Sequence, residues 1–264
     1  MRPSAAFDTV VAPAAWRTID FISDLHLTAA TPRTFERFAE YLRHTPADAI
    51  VILGDLFESW VGDDARFEGF EARVATVLKE AASRRWLGFM VGNRDFLVGR
   101  DMLEACRMRP LADPTLLHAF GERMLLTHGD ALCLGDEPYQ AFRRVVRDRT
   151  WQADFLARTL AERRSMARAL RAESERRRER QPPEGQVDID IAAAIALLSA
   201  ADAPTLIHGH THRPASSALA PGRTRHVLSD WDLDDPLAPR AEVLRWQPTG
   251  LVRLSPAEAM RAAA

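Results

Sequence analysis

Five short runs of acid, amide and imidazole residues occur in order along the chain: Asp24-Leu25-His26, Gly54-Asp55, Gly92-Asn93-Arg94-Asp95, His128-Gly129-Asp130 and Gly209-His210-Thr211-His212. Singly, a D-x-H or a G-D says little, because an aspartate behind a strand is often only a turn or cap residue. Together they concentrate carboxylate, amide oxygen and imidazole, a mixed hard and borderline donor set suited to divalent first-row cations. A purely structural reading must find a separate partner for every one of these groups once they are buried. Metal binding satisfies them together. His208, just before Gly209, reads as a strand-end or supporting histidine outside the ligand set, and His44, His118 and His226 stand in no motif. Cys106 and Cys133 form no C-x-x-C pair and receive no role.

Each motif must be delivered by an element that ends at it. Thr18 to Ser23 and Ala49 to Leu53 are short apolar runs that stop at acidic or glycine residues, as buried strands ending in functional loops do. Amphipathic helices are expected over Pro32 to Arg43 and Phe67 to Arg84, followed by a strand over Trp86 to Val91, a βαβαβ alternation. Further strands are expected over Met124 to Thr127 and Thr205 to His208. Strands near His226 to Ser229 and Ala241 to Trp246 suggest a second, more antiparallel sheet. From about Pro138 the pattern becomes a long arginine-rich helical stretch, closed by QPPEG at Gln181 to Gly185, which reads as an insert over about 138–185. Phe142, Val145, Val146, Trp151, Phe155, Leu156 and Leu160 give that insert an apolar side, which either packs on the core or lines a cleft.

The chain has 264 residues and 47% hydrophobic content, enough for one sizeable core, so residues 1–264 are expected to form a single domain. The first fifteen residues lack the apolar centre of a signal peptide and are expected to be a loose arm. The most apolar stretch, Ile191 to Ala201, is too short to span a bilayer. Two cysteines fit a reducing cytosol. A formal charge of -2 gives no global reason to expect a nucleic-acid partner. That total conceals polarity, because residues 140–180 carry 13 Arg against 6 Asp and Glu. Only Lys79 is a lysine, so this surface is guanidinium, which favours bidentate phosphate contacts.

The five motifs resemble the calcineurin-like metallophosphoesterase superfamily, whose pattern is D-x-H, G-D, G-N-H/R-D/E, H and G-H-x-H. The resemblance implies an α/β fold, an αββα sandwich of two mixed sheets, here with an inserted helical lid. It implies one cation held by Asp24, His26, Asp55 and His212, and a second by Asp55, Asn93, His128 and His210, with Asp55 as the bridge. Two cations so bridged raise the acidity of a water and aim it at phosphorus. Arg94, beside Asn93, is placed to neutralise phosphoryl oxygens in the transition state, where the superfamily often has histidine. A neighbour contact from Arg94 to Asp95 is the structural alternative.

Longer stretches carry a narrower resemblance: FISDLHL at Phe21, GDLFESWVGDD at Gly54, GNRDFL at Gly92, THGD at Thr127, YQAFR at Tyr139 and HGHTHRP at His208. They are similar to the pyrophosphohydrolase family that cleaves UDP-2,3-diacylglucosamine in bacterial lipid A synthesis, over nearly the whole chain after residue 17. That resemblance implies two Mn2+ ions, water attack on the α-phosphorus, and UMP and 2,3-diacylglucosamine 1-phosphate as products. It implies substrate contacts from Asn93, Arg94, Asp136, Ser174, Arg178 and His210. The chain departs from the family after Ser174, where an asparagine and a lysine give way to Arg178 and to Gln181 or Pro182. An acyl-chain substrate sits in a bilayer, so the Arg-rich lid is expected to meet anionic lipid at the cytoplasmic face of the inner membrane, with no obligate protein partner. The rivals are a nuclease or cyclic-nucleotide phosphodiesterase, which the FESWVGDD loop and apolar insert argue against, and a noncatalytic interaction module, which should lack ligands that this chain retains.

Overall fold

In the computed structural model, residues 7–180 and 188–261 are described, apart from the side chains of 173–175 and 177–180. Apolar residues alternate in direction along the first long strands. In β2 (Ile19–Ile22) and β3 (Ala49–Leu53), Ile19, Phe21, Ala49, Val51 and Leu53 face one cluster while Ile22, Ile50 and Ile52 face another. A strand covered on both faces needs such a continuous apolar run. These strands belong to a sheet ordered β12-β11-β2-β3-β4-β5, with β4 at Trp86–Met90, β5 at Arg109–Leu111, β11 at Val243–Gln247 and β12 at Gly250–Leu254. Pairing from β2 through β5 is parallel, and β11 runs antiparallel to β2.

The second sheet is ordered β1-β6-β7-β8-β10-β9, with β1 at Asp8–Val11, β6 at Thr115–Ala119, β7 at Glu122–Thr127, β8 at Thr205–His208, β9 at Ala215–Ala220 and β10 at Arg223–Val227. Phe21, Leu53, Met90, Leu117, Leu126 and Trp246 are among the residues filling the space between the sheets. Helices α1 (Pro32–His44), α2 (Gly69–Ala82) and α3 (Arg100–Cys106) contribute to the cluster on the outer face of the first sheet, and α7 (Ile191–Ala201) covers the second. This is the expected αββα sandwich.

Two expectations need correction. The strands near His226 and Ala241 do not share a sheet: β10 pairs with β8, and β11 pairs with β2. Residues 8–11 of the expected loose arm form β1, parallel to β6, with Asp8 opposite Thr115 and Val11 opposite His118. The unpaired edge of β6 supplies the backbone groups that order it; residues 1–6 of the arm lie outside the described residues.

The expected insert is helical: α4 (Glu137–Val146), α5 (Arg149–Leu156) and α6 (Leu160–Arg180). Its apolar side divides. Val146 and Phe155 are buried, and Trp151 and Leu160 pack on the main core, whereas Phe142, Val145 and Leu156 remain exposed. Arg163, 3% exposed, runs inward from α6 to the Asp64 carboxylate and the Val61 carbonyl, fastening the insert to the Gly54–Asp64 loop.

A buried ion pair ties β11 to β2 within the first sheet. Arg245 donates from Nε to Asp20 Oδ1 at 2.7 Å and from Nη2 to Oδ2 at 2.9 Å, and Tyr41 of α1 donates to the same carboxylate at 2.8 Å. Removing one partner strands the other charge out of water. Arg245→Ala is expected to cost about 3–5 kcal/mol in urea unfolding. A loss below about 1 kcal/mol would show that Asp20 finds solvent or a proton instead.

Candidate metal centre

All five motifs lie just beyond strand C-termini and converge from both sheets: β2, β3 and β4 from the first, β7 and β8 from the second. Backbone hydrogen bonds stitch the loops together. Asp24 N donates to Gly54 O at 3.1 Å, His26 N to Asp55 O at 3.0 Å, and Gly209 N to His128 O at 3.0 Å. The carboxylates complete the lattice, because Asp24 Oδ2 accepts from His210 N at 2.9 Å and Asp55 Oδ1 from Arg94 N at 2.8 Å.

Such close packing of loops demands glycine. A Cβ on Gly92 would lie 2.1 Å from Asp55 Oδ1, and one on Gly209 would lie 2.3 Å from Asp24 Oδ2. Asp24, His26, Asp55, His210 and His212 all hold φ between 48° and 66°. Left-handed backbone at a non-glycine residue costs free energy and persists where the surroundings over-determine it, characteristically at functional sites.

The donor atoms gather in two sets. Asp24, His26 and His212 form one: the two imidazole Nε2 atoms are 3.2 Å apart, and His212 Nε2 is 3.3 Å from Asp24 Oδ1. In the other, Asn93 Oδ1 lies 2.9 Å from His128 Nε2 and 2.8 Å from His210 Nδ1. Asp55 stands between them, with Oδ2 3.9 Å from His26 Nε2 and Oδ1 3.7 Å from His128 Nε2. Imidazole lone pairs facing each other across such distances have no good partner but a proton or a cation. His128 Nδ1 lies 2.8 Å from the Leu53 carbonyl, which accepts its proton and leaves Nε2 free to coordinate.

The electrostatics agree. Burial would lower His128, yet Asp55, Asp24 and Asp130 hold its imidazolium up to about 9. Burial would raise Asp24, but His212, His128 and His26 outweigh it and keep the carboxyl well below its ordinary range. Burial, helped by the His128 charge, pushes His210 down to about 3. Positive charge is therefore wanted where His128 carries its proton, and a cation can displace that proton. The donor set fits two divalent ions.

All seven residues expected as ligands are brought together. His208 is not among them: it is buried, its Nδ1 lies 2.9 Å from the Gly209 carbonyl, and burial pushes it down to about 4. The Arg94 guanidinium lies 3.7 Å from Glu58, while Asp95 turns inward and accepts from the backbone N–H groups of Gly92 at 2.7 Å and Leu56 at 2.8 Å, so the alternative contact between these neighbours does not form. Burial and the Asp55 charge raise Asp95 to about 6. Asp136 caps α4, accepting from Tyr139 N at 3.1 Å. The side chains of Ser174 and Arg178 lie outside the described residues.

Sequence reasoning missed the supporting carboxylates. Glu58 Oε2 is 3.0 Å from His26 Nδ1, and Asp230 Oδ2 is 3.5 Å from His212 Nδ1. Asp130, quoted in its motif without a role, accepts from Tyr139 Oη at 2.6 Å and Arg143 Nε at 2.8 Å. Asp130 thereby joins the insert to the His128 loop. The YQAFR run, which spaces Tyr139 and Arg143 one helical turn apart, was the available signal.

The Gly92 contact is testable. Gly92→Ala must displace Asp55, an overpacking cost of about 1–3 kcal/mol. With free cation at 100 times its dissociation constant, the wild-type chain should gain about 2.7 kcal/mol per site in chemical unfolding. The variant should gain much less, and an equal gain would mean that Asp55 is not held by this contact.

A family model described as calcineurin-like phosphoesterase matches residues 17–214, a span that contains every motif. The chain is 43% identical over 236 residues to a protein of Aromatoleum aromaticum named UDP-2,3-diacylglucosamine hydrolase, covering 87% of this chain and 93% of that one. Proteins of the same name from Chromobacterium violaceum and Ralstonia nicotianae are each 45% identical to it, covering 81% and 86% of this chain and 90% and 88% of their own. With the motifs gathered beyond the strand ends and these matches in agreement, the chain belongs to the calcineurin-like phosphoesterase family.

Proposed function

We propose that this chain hydrolyses the pyrophosphate of UDP-2,3-diacylglucosamine with two Mn2+ ions, releasing UMP and 2,3-diacylglucosamine 1-phosphate. One observation carries the reading: a two-part donor cluster with Asp55 at its centre sits beside a helical insert that leaves apolar side chains exposed. Asp24, His26, Asp55 and His212 hold one ion in this assignment; Asp55, Asn93, His128 and His210 hold the other. When bound, the pair supplies Lewis acidity that lowers the pKa of water and draws charge from phosphoryl oxygens.

The residues around the cluster divide the remaining work. Arg94, partly exposed, offers its guanidinium to the phosphoryl oxygens as charge builds on them. Its backbone N–H fixes Asp55, so binding geometry and charge stabilisation share one residue. The Tyr139 ring lies 5.8 Å from that of His210 at the start of α4, and Phe142 and Val145 lie exposed on the same helix, 39% and 54%. This arrangement suits a substrate with a polar diphosphate joined to acyl chains. Asp136, Ser174 and Arg178 are assigned to the sugar and phosphate end, alongside Asn93, Arg94 and His210.

Among the described residues no helix is long and apolar enough to cross a membrane. The lipid substrate is reached, in this reading, by peripheral attachment to the cytoplasmic face of the inner membrane through the arginines of α6. Basic residues close to an anionic surface contribute about 1 kcal/mol each.

The direct test supplies UDP-2,3-diacylglucosamine and a panel of other phosphodiesters, with and without Mn2+, in isotopically labelled water. Label should enter UMP and leave the sugar phosphate unlabelled. Label in the lipid phosphate would reverse the orientation, and preference for another phosphodiester would replace the substrate.

Attachment is tested separately. Arg176→Gln, Arg177→Gln and Arg180→Gln together, with Arg178 left in place, should weaken binding to anionic vesicles at least about tenfold at low salt, less at physiological salt, and raise the apparent KM for the lipid substrate. A short water-soluble analogue should be turned over as before. Unchanged vesicle binding removes the membrane role; equal losses with both substrates move these arginines to the head group.

A further inference from the structure

Glu58 lies at a junction that the motif pattern does not mark. Its Oε2 is 3.0 Å from His26 Nδ1, and its Oε1 is 2.5 Å from Arg171 Nη1 of α6 and 3.7 Å from Arg94 Nη1. The side chain is 13% exposed. Burial would raise its carboxyl, but His26, Arg94 and Arg171 outweigh it and hold the group below its ordinary range.

An imidazole has two nitrogens, and the bond made by one decides what the other can do. His26 Nδ1 lies on the Glu58 side, while its Nε2 faces the space shared with His212 and Asp24. Asp230 plays the corresponding part for His212, but its other partner is Arg240, which bonds it with Nε at 2.9 Å. Arg240 lies outside the insert. Only on the His26 side do the described contacts continue from a donor histidine through one carboxylate to α6.

We propose that Glu58 is a positioning residue that couples the insert to the metal centre, one carboxylate oxygen fixing His26 and the other receiving Arg171. This rests on His26 being a metal ligand. Coupling of this kind is reciprocal: whatever orders His26 also favours the seated position of α6, and the seated helix favours the coordinating orientation of His26. A substrate that settles α6 more firmly against the Gly54–Asp64 loop would then tighten the same centre that acts on its diphosphate.

The experiment uses the full chain stripped of metal, with Mn2+ titrated by calorimetry and hydrogen exchange followed across residues 160–172. In the wild type, two equivalents should bind and α6 should gain protection. Glu58→Gln should lower one of the two affinities about 10–100-fold, as loss of a partner behind a metal-binding histidine does, and abolish the gain in α6. Arg171→Met should keep both affinities within about threefold while α6 no longer responds to Mn2+. The Arg171 side chain is 41% exposed, so this variant carries the test even if Glu58→Gln fails to fold. An undiminished response of α6 in Arg171→Met, or unchanged affinities in a folded Glu58→Gln, overturns the coupling. Failure of the wild type to bind Mn2+ would instead remove the metal centre on which it rests.

Discussion

Asp24, Asp55 and Asp95 are buried side by side where the loops of two sheets meet, and an uncompensated carboxylate out of water is among the costliest groups a fold can hold. The surrounding architecture compensates each in a different way. Asp95 is held by backbone N–H groups of the Gly54 and Gly92 loops, so its charge is spent on geometry. Asp24 and Asp55 each accept a backbone N–H from another motif and turn toward imidazoles. The glycines follow from this constraint, since any Cβ at Gly92 or Gly209 would occupy the space of a carboxylate oxygen. So do the left-handed residues, which turn the chain sharply enough to aim side chains back over the strand ends.

The same shortage of counter-charge explains the insert. Composition alone reads its arginines as one solvated basic face, but several fasten the insert to the rest of the chain. Arg163 pairs with Asp64, Arg164 with Glu68 at 3.1 Å, Arg171 with Glu58, and Arg143 with Asp130. Acidic residues of the main domain thus hold the insert, and they do so on both flanks of the metal centre. Arg147 adds a bond from Nη2 to the Gly92 carbonyl at 2.9 Å, placing α4 directly on the loop that carries Asn93.

Legibility in the sequence followed the range of the interactions. The strand Ala49–Leu53 was readable to the residue because burial on both faces leaves an unbroken apolar run, and Thr205–His208 because its buried Leu206 and Ile207 lead into the histidine motif. β9, with the sequence ASSALA, was not: its residues are mostly exposed at a sheet edge and carry no alternation. The assignment of β10 and β11 to one sheet failed because proximity in sequence is a weak guide when a chain crosses between layers. The seven residues that converge beyond the strand ends were legible since each sits in a motif of two to four residues. Glu58 and Asp230 were not, because their roles exist only after His26 and His212 are folded against them.

Anchoring at two separate points also limits how the insert can move. α4 is held to the His128 loop through Asp130, and α6 to the Gly54–Asp64 loop through Arg163 and Arg171. A flap hinged at one end could swing away without disturbing the site. This one cannot, because displacing α4 strips Asp130 of its hydroxyl and guanidinium donors, and displacing α6 exposes Glu58 behind His26. Either leaves a carboxylate near the cluster short of partners, which costs more than breaking an exposed ion pair. The apolar side chains that α4 and α6 leave exposed, such as Phe142, Val145 and Leu170, are therefore reached without lifting either anchored helix from the metal centre.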